Sequence, residues 1–310
     1  MNVLDLHCDT PYELFKKGEP LTENSGHVSL ARAARLGRYA QVMAIWTEHR
    51  LDDEAAWEQF FRIREDFLSK IPADRAVLCR TASEAHAAFA AGKIPFFLMV
   101  EGARLLAGKL DRLDALAEAG VRILTLTWKD ADCIGGSYNT HAPLTAFGRE
   151  VVEGCMARGM IVDVSHASGE VTDEVLATAV ARGKPVVATH SNSFAICPHP
   201  RNLTDARALR IAATGGLVGV SMAPQHLAPA GEADAGQACR HILHGLEIGL
   251  GGALALGCDF DGIEQTPRDI RTLSDLPGLN EALAACGVDE ATREAIFFGN
   301  AMRFFERNFA

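Results

Sequence analysis

The sequence lacks several features that would place it in particular classes of protein. No apolar stretch is long enough to cross a membrane, and the chain does not open with the charged and apolar regions of a secretory signal. Positive charge is scarce, with 30 Lys and Arg against 40 Asp and Glu and a formal net charge of -10. Without a basic patch, a nucleic-acid-binding surface is not expected. These absences predict a cytoplasmic protein whose partners include neither a membrane nor a nucleic acid.

Cysteine pairs at the spacing Cys-x-x-Cys are also missing, although the chain has 8 cysteines. Their distribution does not resemble the disulfide framework of a small secreted module, and we expect reduced thiols. What the chain does have is length and apolar content: 310 residues, 48% hydrophobic and 23% charged. This composition is typical of a globular protein with a large core.

Eight short apolar runs predict β-strands, and most of them are separated by helical patterns. The runs are Val3–Leu6, Ala40–Trp46, Phe96–Val100, Ile123–Leu126, Met160–Val164, Pro185–Thr189, Leu217–Val220 and Ala253–Gly257. Runs that are mostly apolar, without strict alternation of apolar and polar residues, are typical of parallel strands buried on both faces. The chain contains no Pro/Gly/Ser-rich linker and no low-complexity block. The alternation predicts an α/β fold, a single (β/α)8 TIM barrel spanning residues 1–310.

Two segments between these strands illustrate the prediction and its one irregularity. Ser168 can cap a helix that Gly183 and Pro185 would end, so a helix is expected between strands five and six. By contrast, residues 47–94 are too many for one crossover helix. We expect a helical insertion there, packed outside the barrel.

Five residues of metal-ligand type lie where predicted strands become loops. His7 and Asp9 leave the first strand two residues apart, and Glu101, His166 and His190 close three later strands. One such residue is commonly a turn or capping group. Five of them at the carboxyl ends of barrel strands, where barrel enzymes carry their chemistry, favour a site for zinc or a similar divalent ion.

Short motifs along nearly the whole chain resemble the membrane (renal) dipeptidase family, metallopeptidases among the amidohydrolase-like metal-dependent barrels. The matching blocks, in order, are LHCDT, VEGA, LTLTW, FGREVV, IVDVSHAS, THSN, PRNLTD, GCDFDG and FFGNAMRFF. The resemblance implies two divalent ions, with zinc expected first. It places His7 and Asp9 on the first ion, His166 and His190 on the second, and Glu101 between both.

The same resemblance implies roles for two residues outside the ligand set. Asp259, in GCDFDG, corresponds to the family's acid/base carboxylate, with Asp261 as a neighbouring rival and a turn-forming aspartate as the alternative. Arg201, in PRNLTD, corresponds to an arginine that binds the substrate carboxylate, for which a guanidinium is well suited. A solvated loop arginine is the alternative for that position.

Trp128 departs from the family pattern. It is assigned to substrate binding at a position where characterised mammalian-type members have a histidine that contacts the substrate carbonyl. An indole can donate one hydrogen bond but cannot become a cation, so the oxyanion must be stabilised differently or by the metals. His141, in a nearby loop, is expected to be an exposed residue rather than a substitute imidazole.

The resemblance leads to one main functional hypothesis and two alternatives. The main one is a dinuclear zinc dipeptidase for short dipeptides with a free C-terminal carboxylate, including D-residues at that end. Two ions can share and deprotonate a water and polarise the carbonyl, which allows attack without a covalent intermediate. Trp128 motivates a related amidohydrolase acting on N-acyl amino acids, another small amide or a lactone. A non-catalytic ligand-binding barrel is the third reading, and a homodimer is compatible with all three.

Overall fold

The computed structural model describes all 310 residues and contains nine strands, all paired in parallel. The strands are β1 Val3–Cys8, β2 Tyr39–Trp46, β3 Ala76–Leu78, β4 Ile94–Glu101, β5 Val121–Thr125, β6 Ile161–Asp163, β7 Val186–Val187, β8 Val218–Val220 and β9 Leu254–Leu256. Eight of them follow the order β7-β6-β5-β4-β2-β1-β9-β8, and a bridge between Ala188 and Val218 joins the two ends. The prediction of a (β/α)8 barrel is confirmed.

Each of the eight predicted strands overlaps an observed barrel strand, with ends that differ by no more than two residues. The ninth, β3, was not predicted. It has only three residues and pairs with Ile94–Phe96, on the edge of β4 that β5 occupies slightly farther along. A three-residue strand with one exposed side chain is too short to give a periodic signal.

Thirteen α-helices surround or cap the barrel. They are α1 Thr10–Lys17, α2 Leu30–Ala33, α3 Asp53–Ser69, α4 Ala82–Ala90, α5 Arg112–Glu118, α6 Ala146–Ala157, α7 Gly169–Arg182, α8 Asp205–Ala213, α9 Pro224–Leu227, α10 Ala235–Glu247, α11 Leu276–Ala285, α12 Glu290–Glu294 and α13 Asn300–Asn308. Short 3₁₀ turns occupy Ala103–Leu106 and Leu273–Asp275, and a π-helical turn, Ala295–Gly299, joins α12 to α13. None of the helices is long and apolar enough to cross a bilayer.

The helix expected after Ser168 is confirmed as α7. The Ser168 side chain accepts a hydrogen bond from the backbone N–H of Val171, which caps the amino end. Gly183 ends the helix in the left-handed conformation, with φ of 59°. The long segment between β2 and β4 contains α3, β3 and α4, so it contributes a short strand to the sheet as well as helices.

The hydrophobic core has two parts, one between the barrel and the helices and one inside the barrel. The outer part comprises 66 buried residues and the inner part 22. Leu4, Leu6, Val42 and Phe97 belong to the inner part, together with phenylalanines of the C-terminal helix. Apolar side chains therefore fill the barrel and its amino-terminal end, which leaves the carboxyl ends of the strands for polar groups.

Candidate metal centre

The first half of the candidate centre is built by the ends of β1 and β9. His7 is fully buried, and its Nε2 lies 3.3 Å from Oδ2 of Asp9 and 3.9 Å from Oδ1 of Asp259. The buried Asp5 ties the two strand ends together, because its Oδ1 accepts hydrogen bonds from the backbone N–H groups of His7 and Cys258. The backbone N–H of Asp259 in turn donates to the carbonyl of His7.

A β-bulge in β1 orients the His7 side chain toward this site. Between Asp5 and Cys8 the pairing of β1 with β2 shifts, so a three-residue step faces the two-residue step from Gln41 to Met43. Leu4 and Leu6 point into the barrel, and plain alternation would send Cys8 there as well. With the extra residue in the strand, Cys8 joins the outer core and His7 takes the inward position.

The second half of the centre is organised around Glu101, the last residue of β4. Its Oε1 lies 2.9 Å from Nε2 of His166, 3.3 Å from Nε2 of His190 and 3.6 Å from Nε2 of His7. His166 follows β6 and His190 follows β7. Three imidazole nitrogens from three strands thus converge on one carboxylate oxygen.

Outer hydrogen bonds fix which nitrogen of each imidazole faces the centre. Nδ1 of His166 donates to the backbone carbonyl of Trp128 over 2.9 Å. Nδ1 of His190 donates to Oγ1 of Thr189, which itself donates to the buried carboxylate of Asp163. Both Nε2 atoms are then left as lone-pair donors, 2.9 Å apart. Two lone pairs at that distance repel each other unless a cation lies between them.

The charges of the centre reflect its burial. Burial raises the pKa of Asp259 to about 8 and that of Asp9 to about 7, with the nearby carboxylates adding to both. Burial alone would lower the pKa of His7, but Glu101, Asp9 and Asp259 together raise it to about 10. Burial also raises the pKa of Glu101. Without a cation, this cluster of carboxylates takes up protons instead.

The two imidazoles of the second half behave in the opposite way. Burial, reinforced by Arg201 and His7, holds the pKa of both His166 and His190 well below the ordinary range. They are therefore neutral at physiological pH, the state in which an imidazole binds a metal ion.

Backbone strain concentrates at the same place. Five non-glycine residues have positive φ, and three of them are His166 (68°), Asp259 (64°) and Asp261 (66°). Such conformations cost free energy and commonly mark functional sites. Gly262 follows directly, and a Cβ there would approach Oδ2 of Asp9 to 2.2 Å. Only glycine allows the loop after β9 to pass this close to the carboxylate.

The residues fit divalent metal ions. Nδ1 of His7 and Oδ1 of Asp9 are buried without hydrogen-bond partners. Two groups, His7 with Glu101 and His190, and His7 with Asp9 and Asp259, each bring three donor atoms within 4.8 Å of one another. Imidazole and carboxylate donors suit zinc and also manganese, cobalt or iron.

The two aspartates after β9 have different surroundings. One oxygen of Asp261 accepts from Oγ1 of Thr10 over 2.7 Å, and the other accepts from the backbone N–H of His27 over 2.5 Å. Asp261 therefore fastens the loop to α1 and to the segment that contains His27. Asp259 instead faces His7, so of the two it is the one available to a reacting group.

Arg201 lies in the loop between β7 and α8. It is only 6% exposed, and its Nη2 atom is buried without a hydrogen-bond partner. Its guanidinium carbon is 5.7 Å from the centre of the Tyr138 ring. A buried guanidinium without a paired acid is costly, and an anionic ligand would relieve that cost.

The remaining predicted residues lie at the rim. Trp128 is half-buried, its carbonyl holds His166, and its ring lies 5.1 Å from the ring of Trp46. The side chain of His141 is 97% exposed and bonds Glu170, away from the centre. Tyr12 and Trp46 also lie at the rim, beside Trp128, and were not among the predicted site residues. The position of Trp46 at the end of a predicted strand could have indicated it, because the candidate ligands were chosen at strand ends.

Comparisons with known proteins identify the family of this chain. The family model described as membrane dipeptidase, peptidase family M19, matches residues 1–309. A Klebsiella pneumoniae protein, described as an uncharacterized protein in the pqqA 5′ region, is 32% identical over 259 residues, 80% of this chain and 93% of that protein. An uncharacterized dipeptidase of Schizosaccharomyces pombe is 30% identical over 224 residues, covering 70% of this chain and 54% of that protein.

Solved structures give the same result. The dipeptidase AC, an M19 metallopeptidase, superposes with a TM-score of 0.92 at 27% identity, covering 100% of this chain and 99% of that one. A Rhodobacter sphaeroides metallopeptidase, liganded with a phosphinate mimic of the dipeptide L-Ala-D-Ala, gives 0.91 at 26% identity, with 99% of both chains covered. With a family match over nearly its whole length and these structural neighbours, the chain belongs to the membrane dipeptidase family, M19, and is a metal-dependent dipeptidase.

Proposed function

We propose that this dipeptidase holds two divalent ions, zinc foremost, and hydrolyses short dipeptides that have a free C-terminal carboxylate. The observation that carries the proposal is the central position of Glu101 Oε1, within 3.6 Å of the Nε2 atoms of His7, His166 and His190. A carboxylate in that position can serve both halves of a dinuclear centre. His7 and Asp9 would hold one ion, and His166 and His190 the other.

Two ions bound there would supply Lewis acidity toward the scissile carbonyl and would lower the pKa of the attacking water. The protein contributes the arrangement of the donors. Thr189 and Asp163 keep Nε2 of His190 free for a metal, and the carbonyl of Trp128 does the same for His166. Such outer hydrogen bonds fix the ligand orientation on which metal affinity depends.

Asp259 is the proposed general acid and base. It is 8% exposed and faces the centre from the loop after β9. Burial raises its pKa to about 8 in the metal-free centre. A carboxyl group positioned beside the centre can accept a proton and return it. In this role the Asp259 carboxylate takes a proton from the attacking water and then delivers it to the departing amine.

Arg201 is the proposed anchor for the C-terminal carboxylate of the substrate. Its buried, unpaired Nη2 supports that assignment, because a carboxylate would supply the missing acceptor. Tolerance of a D-residue at this end is supported by the Rhodobacter sphaeroides relative, whose bound inhibitor mimics L-Ala-D-Ala.

The deciding experiment is hydrolysis of L-Ala-L-Ala, L-Ala-D-Ala and N-acetyl-L-alanine by zinc-loaded protein, with chelated protein as the control. Chelator-sensitive cleavage of the dipeptides, with about two zinc ions per chain by elemental analysis, is the expected result. Failure to cleave either dipeptide, or full activity with a single ion, would overturn the proposal.

An amidohydrolase for N-acyl amino acids is the second candidate, and Trp128 is the observation that favours it. Its indole stands beside His166 with ring centres 6.2 Å apart, and it offers an apolar surface where a polar group would suit a dipeptide carbonyl. Preferential cleavage of N-acetyl-L-alanine in the same panel would support this candidate over the dipeptidase.

A further inference from the structure

The mouth of the barrel has a cavity beside the candidate metal centre whose lining is partly aromatic and partly acidic. It measures about 130 Å³. Tyr12, Trp46 and Trp128 form the aromatic part, and the rest of the lining is Asp9 and Glu101 of the centre with Glu13, Asp261 and Gly262. A single water needs only about 10–15 Å³, so the cavity has room for a side chain. The chain has 3 tryptophans and 3 tyrosines in all, and half of these six residues line this one cavity.

The aromatic rings form a continuous wall. Trp46 meets Tyr12 edge-on, with ring centres 4.9 Å apart, and meets Trp128 at 5.1 Å. All three side chains are half-buried, so part of each ring remains accessible from the cavity. Partly exposed aromatic faces in a concave site are the usual surface for binding another ring, since they add specific geometry to the burial of apolar area.

The order of the strands decides which part of a substrate reaches this wall. In the barrel order, β2, which ends in Trp46, is diametrically opposite β7, whose following loop carries Arg201. The candidate metal centre lies between them. A dipeptide with its carboxylate at Arg201 and its scissile carbonyl at the centre must place its N-terminal residue at the aromatic cavity.

We propose that Tyr12, Trp46 and Trp128 form a specificity pocket for an aromatic side chain on the N-terminal residue of the substrate. This inference rests on the proposed function, because Arg201 and the metal centre set the direction in which the dipeptide lies. The substrate class is then dipeptides that begin with phenylalanine, tyrosine or tryptophan and end in a free carboxylate.

The test compares kcat/KM for L-Phe-L-Ala and L-Ala-L-Ala, which share the same C-terminal residue. The wild-type protein should prefer the phenylalanyl substrate by about tenfold or more, since filling an apolar pocket is worth one to two orders of magnitude. Trp46→Ala should lower kcat/KM for L-Phe-L-Ala by about tenfold to hundredfold and for L-Ala-L-Ala by less than about threefold. No preference in the wild type, or equal losses on both substrates, would overturn the pocket.

Trp57 provides a matched control. It packs against Phe61 with ring centres 5.0 Å apart and under the guanidinium of Arg112, outside the cavity. Trp57→Phe should leave kcat/KM unchanged for both L-Phe-L-Ala and L-Ala-L-Ala. Zinc content and thermal melting show whether Trp46→Ala folds. If it does not, Trp46→Leu keeps an apolar side chain and should give the same selective loss of kcat/KM for L-Phe-L-Ala, but a smaller one.

A binding measurement separates failure of the pocket from failure of the proposed function. Trp57→Phe leaves Trp46 and Trp128 as the remaining tryptophans, so fluorescence in that variant reports on the cavity alone. Titration with L-phenylalanine and L-alanine needs no turnover. Saturation by L-phenylalanine at about tenfold lower concentration supports the pocket even if no dipeptide is cleaved, and equal responses to the two amino acids refute it.

Discussion

The two ends of the barrel are built from opposite kinds of interaction. At the amino-terminal end, Phe97 lies 4.5 Å from Phe305 and Phe305 lies 4.8 Å from Phe309, and all three rings are fully buried. At the carboxyl-terminal end, buried atoms of His7, Asp9 and Arg201 have no hydrogen-bond partner. The first end is built mainly from contacts between apolar rings, whereas the second buries a cluster of polar side chains, several of which have atoms without a hydrogen-bond partner. Stability and chemistry are thus separated along the barrel axis.

The largest effect should come from Asp259 at the carboxyl-terminal end. Asp259→Asn keeps the size of the side chain but removes its ability to take up and return a proton. We expect kcat to fall by about 10²–10⁴-fold, the usual contribution of a positioned acid or base. Zinc content by elemental analysis should be unchanged. Full activity in this variant would show that another group transfers the proton.

At the amino-terminal end, a change at Phe305 should lower stability and leave kcat unchanged. Its truncation to alanine leaves a cavity beside Phe97 and Phe309, and we expect the free energy of unfolding to fall by about 3–5 kcal/mol. Urea denaturation measures that loss. The kcat of the folded fraction should stay near the wild-type value, and a large drop in kcat would mean that the two ends are coupled.

Metal binding at the carboxyl-terminal end should stabilise the folded protein. With free zinc at about a hundred times its dissociation constant, each site should add about 2.7 kcal/mol to the free energy of unfolding. Glu101→Gln should reduce this gain and the bound zinc, since Glu101 contacts the imidazoles of both halves. Phe305→Ala offers the control, because the zinc-dependent gain should be intact in that variant.

The barrel strands and the candidate ligands could be predicted from the sequence, whereas one strand could not. The eight barrel strands could be predicted because each is a short, mostly apolar run, which is typical of a parallel strand buried on both faces. The carboxyl ends of those strands then gave the candidate ligands. β3 was missed because its pairing with β4 depends on tertiary contacts rather than on its own three residues.

The geometry of the centre depends on details that spacing does not encode. Two-residue periodicity from Leu4 and Leu6 would aim Cys8 inward, and only the observed bulge in β1 turns His7 into the barrel. Likewise, the family resemblance favours Asp259 over its neighbour Asp261, but spacing gives no physical reason for that choice. The structure shows a difference between the two, because Thr10 and His27 donate hydrogen bonds to Asp261. Both distinctions arise from contacts between residues far apart in the chain.

Arg201 should lower the stability of the substrate-free protein while it strengthens substrate binding. Replacing it with methionine removes a buried, unpaired guanidinium, so the metal-loaded, substrate-free protein should gain about 1–3 kcal/mol in its free energy of unfolding. The same change should raise KM for dipeptides by at least about tenfold, because the carboxylate loses a charge-assisted bond. A loss of stability in urea denaturation would show that Arg201 is already paired in the folded protein.

The smallest effect is expected at His141, which shares the carboxyl-terminal end but not the site. Its side chain is 97% exposed, and its contact with Glu170 lies in solvent, where an ion pair contributes little. His141→Ala should change kcat/KM by less than about twofold and the melting temperature by no more than about 1 °C. A larger loss of activity would mean that the loop brings this imidazole to the substrate during turnover. The boundary of the site would then lie farther out than the buried cluster, and the contrast between the two ends would extend to a mobile loop.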